Sequence, residues 1–114
     1  MIDTLFRPFA LKGITLPNRI VMAPMTRSFS PGGVPGENVA EYYRRRAAGG
    51  VGLIITEGTA VARTGAANDP DVPILHGAGL PGWAKVPPVV HAAGGLLAPQ
   101  HWHVGAMPHR RNPK

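Results

Sequence analysis

The sequence predicts an α/β chain organised on a parallel sheet, three successive β/α units of a (β/α)8 barrel with a β-hairpin at the amino terminus. Three observations lead there. Apolar, β-rich runs recur at Ile20-Val21-Met22-Ala23, from Val51 to Thr56 and at Leu96-Leu97-Ala98. Helical patterns fall between them, at the roughly 30- to 45-residue interval of βαβ units. Each run ends in polar residues and a loop, at the carboxyl end where open and barrel-type parallel sheets bind ligands. A whole barrel takes about 250 residues, so a chain of 114 residues holds three of its strands.

In chain order, Phe9-Ala10-Leu11 and Ile14-Thr15-Leu16 flank Lys12-Gly13, a glycine-containing two-residue turn that signals a hairpin. The unbroken run at 20–23 reads as a strand covered on both faces. Pro24 stops regular pairing because it has no N–H, and Met25-Thr26-Arg27 then bring a hydroxyl and a cation to the strand end. SFSPGGVPGEN follows, a loop unable to hold regular structure but able to fold over a site. The next segment is a helix that Gly36 or Asn38 can cap and Gly49-Gly50 ends, with Val39, Tyr42, Tyr43 and Ala47 on one face. The second run delivers Thr56, Glu57 and Gly58 at its end, and a loop over 59–79 carries Arg63, Asn68, Asp69 and Asp71. A second helix is expected over 80–93, stopped by Gly94-Gly95. Pro87-Pro88 falls inside it, where a proline costs about 3 kcal/mol or more, and Pro87 disfavours helical backbone at Val86.

Composition narrows the function classes. The chain has no cysteine, which excludes disulfides, thiolate catalysis and cysteine-ligated metal centres. The net charge of +6 is split between Arg44-Arg45-Arg46 and a basic tail over 106–114 that is expected to be disordered. Neither cluster has the interleaved aromatics of a single-strand nucleic-acid binder, so solvated charge is expected and no nucleic-acid partner. No apolar run approaches the ~18 residues of a membrane helix and the start lacks a signal-peptide pattern. The expectation is a cytoplasmic protein.

The third strand ends in Pro99-Gln100-His101-Trp102-His103, and alternation puts Gln100 and Trp102 on one face and His101 and His103 on the other. Two chemistries compete. The histidine pair, with His91 or His109, could ligate a catalytic divalent metal, although no carboxylate is near. Alternatively Gln100 and Trp102 point inward, offering a two-sided hydrogen-bonding amide and a flat apolar wall to a planar heterocycle.

Taken together, FRPFALKGITLPNRIVMAPMTR, YYRRRAAGGVGLIITEGTAV and HAAGGLLAPQHWHVG resemble the amino-terminal third of the old yellow enzyme family of FMN-dependent ene-reductases. The resemblance covers about residues 5–105. It implies a (β/α)8 barrel whose hairpin closes the bottom, with FMN across the carboxyl ends of the strands. Pro24 and Met25 would bring backbone near the flavin, and the Thr26 hydroxyl would bond its O4/N5 edge. Gly58 would allow close backbone approach, Gln100 would bind the pyrimidine edge, and Trp102 would line the substrate pocket. The implied cycle is ping-pong: NADPH or NADH reduces FMN, which then passes hydride to an electron-poor alkene.

The family's substrate-carbonyl donors, its proton-donating tyrosine and its phosphate-binding loops belong to later strands. By the resemblance those donors are expected beyond Lys114, and no catalytic residue is expected within these 114 residues. His101 also stands where the family pattern suggests an apolar residue. These departures suggest a truncated product, inactive alone and colourless when purified, that self-associates through an uncovered barrel edge. A non-enzymatic remnant or small interaction protein, and a metal-dependent barrel hydrolase using His101 and His103, are the competing readings.

Overall fold

The computed structural model describes residues 2–107. A one-turn helix, α1 (Ile2–Leu5), precedes β1 (Phe9–Leu11) and β2 (Ile14–Leu16). The hairpin is the expected one, with Phe9 opposite Leu16 and Leu11 opposite Ile14. Its turn needs left-handed backbone at both central residues, and Lys12 and Gly13 have φ of 48° and 80°. α1 has little sequence signal beyond Asp3 in its first turn.

Three parallel strands follow, β3 (Val21–Met22), β4 (Leu53–Ala60) and β5 (Leu96–Trp102), in that spatial order. The first differs from expectation. Only two residues pair, and Val21 is 48% exposed rather than covered on both faces. The reason is position: β3 pairs only with β4 among the described residues, so nothing covers its outer edge, and Pro24 cannot extend the ladder. Asn18 holds the approach to β3, its amide donating to Gly50 O at 2.7 Å while its Oδ1 accepts from Ile20 N at 3.0 Å.

One face of the sheet is covered by helices. α2 (Glu37–Ala48) starts after Gly36 and buries Val39, Tyr43 and Ala47 against Ile54. The second helix is divided, contrary to the continuous one expected over 80–93, into α3 (Leu80–Ala84) and α4 (Val86–Ala92) with Lys85 between them. The division removes the proline problem. Pro87 and Pro88 fall in the first turn of α4, where backbone N–H groups have no intrahelical partner, and Val86 opens the helix fully buried. Trp83, Val86 and Val90 complete the core.

β4 runs four residues past Thr56 and contains a bulge. Ile55 pairs with Ala98 but Gly58 pairs with Gln100, so β4 uses one more residue than β5 between these points. Pro99 lies opposite the irregularity, where its missing N–H leaves no ladder bond unmade. The rim loops are tied together: Ser30 N donates to Asp71 O at 3.0 Å, and Ile74 N to Gly33 O at 2.9 Å. A short 3-10 turn at Pro31–Gly33 lies in the segment expected to be irregular. The tail from 108 to Lys114, with His109 and the disorder expected there, lies outside the described residues.

Candidate functional site

At the carboxyl end of β3 the chain turns outward, leaving Met25 and Thr26 exposed and Pro24 half-buried. Arg27 turns inward. Its Nε and Nη2 donate to Glu57 Oε2 at 3.1 and 2.9 Å. The same oxygen accepts from the Tyr43 hydroxyl at 2.7 Å, and that hydroxyl accepts from Glu57 N at 2.8 Å. Burial, with the Glu57 carboxylate beside it, pushes the Tyr43 phenol well above its usual range, which keeps it a proton donor. The guanidinium carbons of Arg27 and Arg46 stand 3.8 and 3.5 Å from the Tyr42 ring centroid. Two planar cations at that distance cannot share a face, so they clamp the ring from both sides. The residue after Thr26 is thus fixed to a strand and a helix.

Glu57 reaches α2 because of the bulge. Side chains alternate along a strand, and the added residue lets both Ile54 and Glu57 face the helices while Gly58 faces the opposite side with Gln100 and Trp102. Glu57, expected among the groups delivered at the end of the second run, instead lies within β4 and is 1% exposed. Thr56 repairs the ladder, its Oγ1 donating to Glu57 O at 2.9 Å and accepting from Gln100 N at 3.2 Å. Thr59 Oγ1 donates to Gln100 O at 2.8 Å. Gln100 is held by its backbone on both sides, while its side-chain amide, half-buried, makes no hydrogen bond among the described residues.

A cavity of about 300 Å³ opens at this rim, lined by Thr26, Ser28, Asn68, Asp69, Val72 and Trp102, with Met107 at its margin. Thr26 and Trp102 share it; Pro24, Met25 and Gln100 do not line it, and Gly58 lies beneath the Trp102 indole. Ser28 adopts left-handed backbone, φ 58°, and donates to Asp69 Oδ2 at 2.8 Å. A larger cavity, about 460 Å³, lies at the other end of the strands between the hairpin and Leu53, Leu96 and Ala98. Its lining is wholly apolar, so the rim is where chemistry can occur.

The histidine pair does not converge on a metal site. His103 Nδ1 accepts from Gly105 N at 2.9 Å, so Nε2 carries the hydrogen toward Thr64 O at 3.3 Å, and neither nitrogen keeps a free lone pair. His101 and His91 are exposed, and no group of three or more metal-ligating side chains occurs among the described residues. Sequence reasoning noted Arg27 and Glu57 but missed their direct pairing and the Tyr43 hydroxyl that joins it. The one available signal was a cation and a carboxylate each placed just past an apolar run.

Comparison with known proteins gives consistent matches. Residues 4–112 match the profile of the NADH:flavin oxidoreductase / NADH oxidase family. A 12-oxophytodienoate reductase 7 from Oryza sativa subsp. japonica is 45% identical over 107 residues, 93% of this chain and 27% of that protein. Among solved structures, morphinone reductase superposes with a TM-score of 0.83 at 43% identity, covering 92% of this chain and 28% of that one. The old yellow enzyme homologue from Zymomonas mobilis gives 0.82 at 39% identity, covering 92% and 29%. The chain spans less than a third of the length of each.

Proposed function

The chain belongs to the NADH:flavin oxidoreductase / NADH oxidase family and folds as the first three β/α units of an old yellow enzyme barrel with its amino-terminal hairpin; from that premise we propose that its rim holds the isoalloxazine of FMN. The protein this rim serves is an oxidoreductase that uses NADPH or NADH to reduce activated carbon–carbon double bonds in small molecules. The observation that carries the reading is the Gln100 amide, backbone-clamped yet unpaired among the described residues, on the same strand face as Trp102 and Gly58.

The residues present fit one edge of the group. An amide that donates and accepts matches the alternating polar edge of a pyrimidine ring. Thr26 offers a hydroxyl beside the fixed Arg27, Pro24 and Met25 offer backbone near the ring, Gly58 lies beneath the same face, and Trp102 supplies a flat wall on the substrate side. FMN, when bound, supplies the hydride transfer; these side chains orient it and exclude water from one side.

Titrating the purified chain with FMN and recording the visible difference spectrum tests this. The chain is expected to purify colourless and to bind added FMN weakly, since it spans under a third of its relatives. Gln100→Ala and Thr26→Ala should each weaken that binding by about 1 kcal/mol, the worth of one hydrogen bond. A flavin spectrum unperturbed up to the solubility of FMN would refute the reading.

A further inference from the structure

At the rim, Gly58 packs directly under the Trp102 indole. A Cβ at Gly58 would lie 2.4 Å from Trp102 Cδ2 and Cε3 and 2.7 Å from Cζ3, whereas real Cβ atoms essentially never approach within 3.0 Å. Gly58 is not in the left-handed region, so its backbone does not require glycine; the indole above it does. The Trp102 backbone has little freedom to retreat, because Trp102 pairs with Ala60 and its carbonyl accepts from Val61 N at 3.4 Å. Nor does a polar contact hold the ring. Trp102 Nε1 is buried and has no hydrogen-bond partner among the described residues, so packing on Gly58 keeps the indole down.

The same indole lines the rim cavity. At about 300 Å³ that cavity is at the small end of ligand sites, and a tryptophan ring moved into it would take a large part of its width. We propose that Gly58 is a specificity-determining residue: its missing Cβ seats Trp102 against β4 and so sets how broad a flat ligand the rim admits. A side chain at 58 tips the ring into the cavity and restricts the site to narrower ligands. This rests on the rim being the substrate side of the proposed flavin site, but the seat itself can be read without flavin.

The first measurement is a double-mutant cycle in urea, with Gly58→Ala made in the presence of Trp102 and again with Trp102→Ala. Gly58→Ala should destabilise the chain when the indole is present and lose most of that cost when it is absent. An equal cost in both backgrounds overturns the proposal, and if Gly58→Ala alone fails to fold, recovery in the double variant supports it while failure there overturns it. The second uses Trp83→Phe, which leaves Trp102 as the sole indole of the chain's two. Gly58→Ala should then shift Trp102 emission to the red and increase its quenching by acrylamide; unchanged emission and quenching overturn the proposal. FMN titration of the same proteins separates the two readings: an indole that responds in a chain indifferent to FMN refutes the flavin site and leaves the seat standing, whereas FMN binding with an unmoved indole does the reverse.

Discussion

At Glu57 a carboxylate sits inside the protein with one oxygen taking three hydrogen bonds, from Arg27 Nε, Arg27 Nη2 and the Tyr43 hydroxyl, while Oε1 has none among the described residues. Burying such a group is tolerable only because the guanidinium is there, and removing one member leaves the other charged and unpaired. Glu57→Gln is therefore expected to cost about 3 to 5 kcal/mol in urea denaturation, and Tyr43→Phe about 1 to 3 kcal/mol. The raised Tyr43 phenol adds a pH dependence with a definite sign. Below the ordinary tyrosine range, near pH 10, the phenol is protonated folded and unfolded, so it adds no slope. Above it the unfolded chain loses the proton first, and stability should fall with rising pH. Tyr43→Phe should flatten that part of the curve, whereas an identical alkaline limb in the variant would show that other groups cause it. The residues involved were visible in the sequence, but their association was not: 14 to 30 residues separate Glu57 from its partners, and only the bulge turns it toward them.

Among the elements, the hairpin was the most legible, because a two-residue turn with glycine fixes both type and register. It also leaves room for improvement. Lys12 occupies left-handed backbone, φ 48°, which asparagine tolerates better, so Lys12→Asn should stabilise the chain by a few tenths of a kcal/mol. Gly13→Ala at φ 80° should destabilise it by about 1 to 2 kcal/mol. Denaturant midpoints of the two variants should move in opposite directions. The α2 face and both its ends were also readable, from three- and four-residue spacing and flanking glycines. The α3–α4 division was not, although Pro87-Pro88 marked the trouble. A proline penalises the helix interior but suits a first turn, and the sequence alone does not say which turn it will occupy. The reach of β4 to Ala60 was missed because Thr56-Glu57-Gly58 reads as polar punctuation; Thr56 Oγ1 accepting from Gln100 N and Thr59 Oγ1 donating to Gln100 O keep it in the sheet.

The sheet as a whole has helices on one face, and the hairpin lies at the end of the strands away from the rim. Leu11 and Ile14 are 58% and 59% exposed beside the apolar cavity that reaches Leu53 and Leu96, and β3 and β5 present unpaired edges among the described residues. Apolar surface next to open strand edges favours association. Sedimentation velocity should show concentration-dependent self-association that Leu11→Lys with Ile14→Lys diminishes; a monomer throughout the accessible range would contradict this. The βαβ order was legible because parallel strands read as apolar runs, while the exposure of β3 was not, since the same run suits a central or an edge strand. The bulge in β4 has a further consequence. It works as a change of parity partway along the strand: upstream of it even-numbered residues such as Ile54 face the helices, downstream odd-numbered Glu57 does. Ironed out into uniform pairing, the same residues would swing the acid onto the side of Trp102 and the glycine toward α2, exchanging the two without altering a single letter of the text.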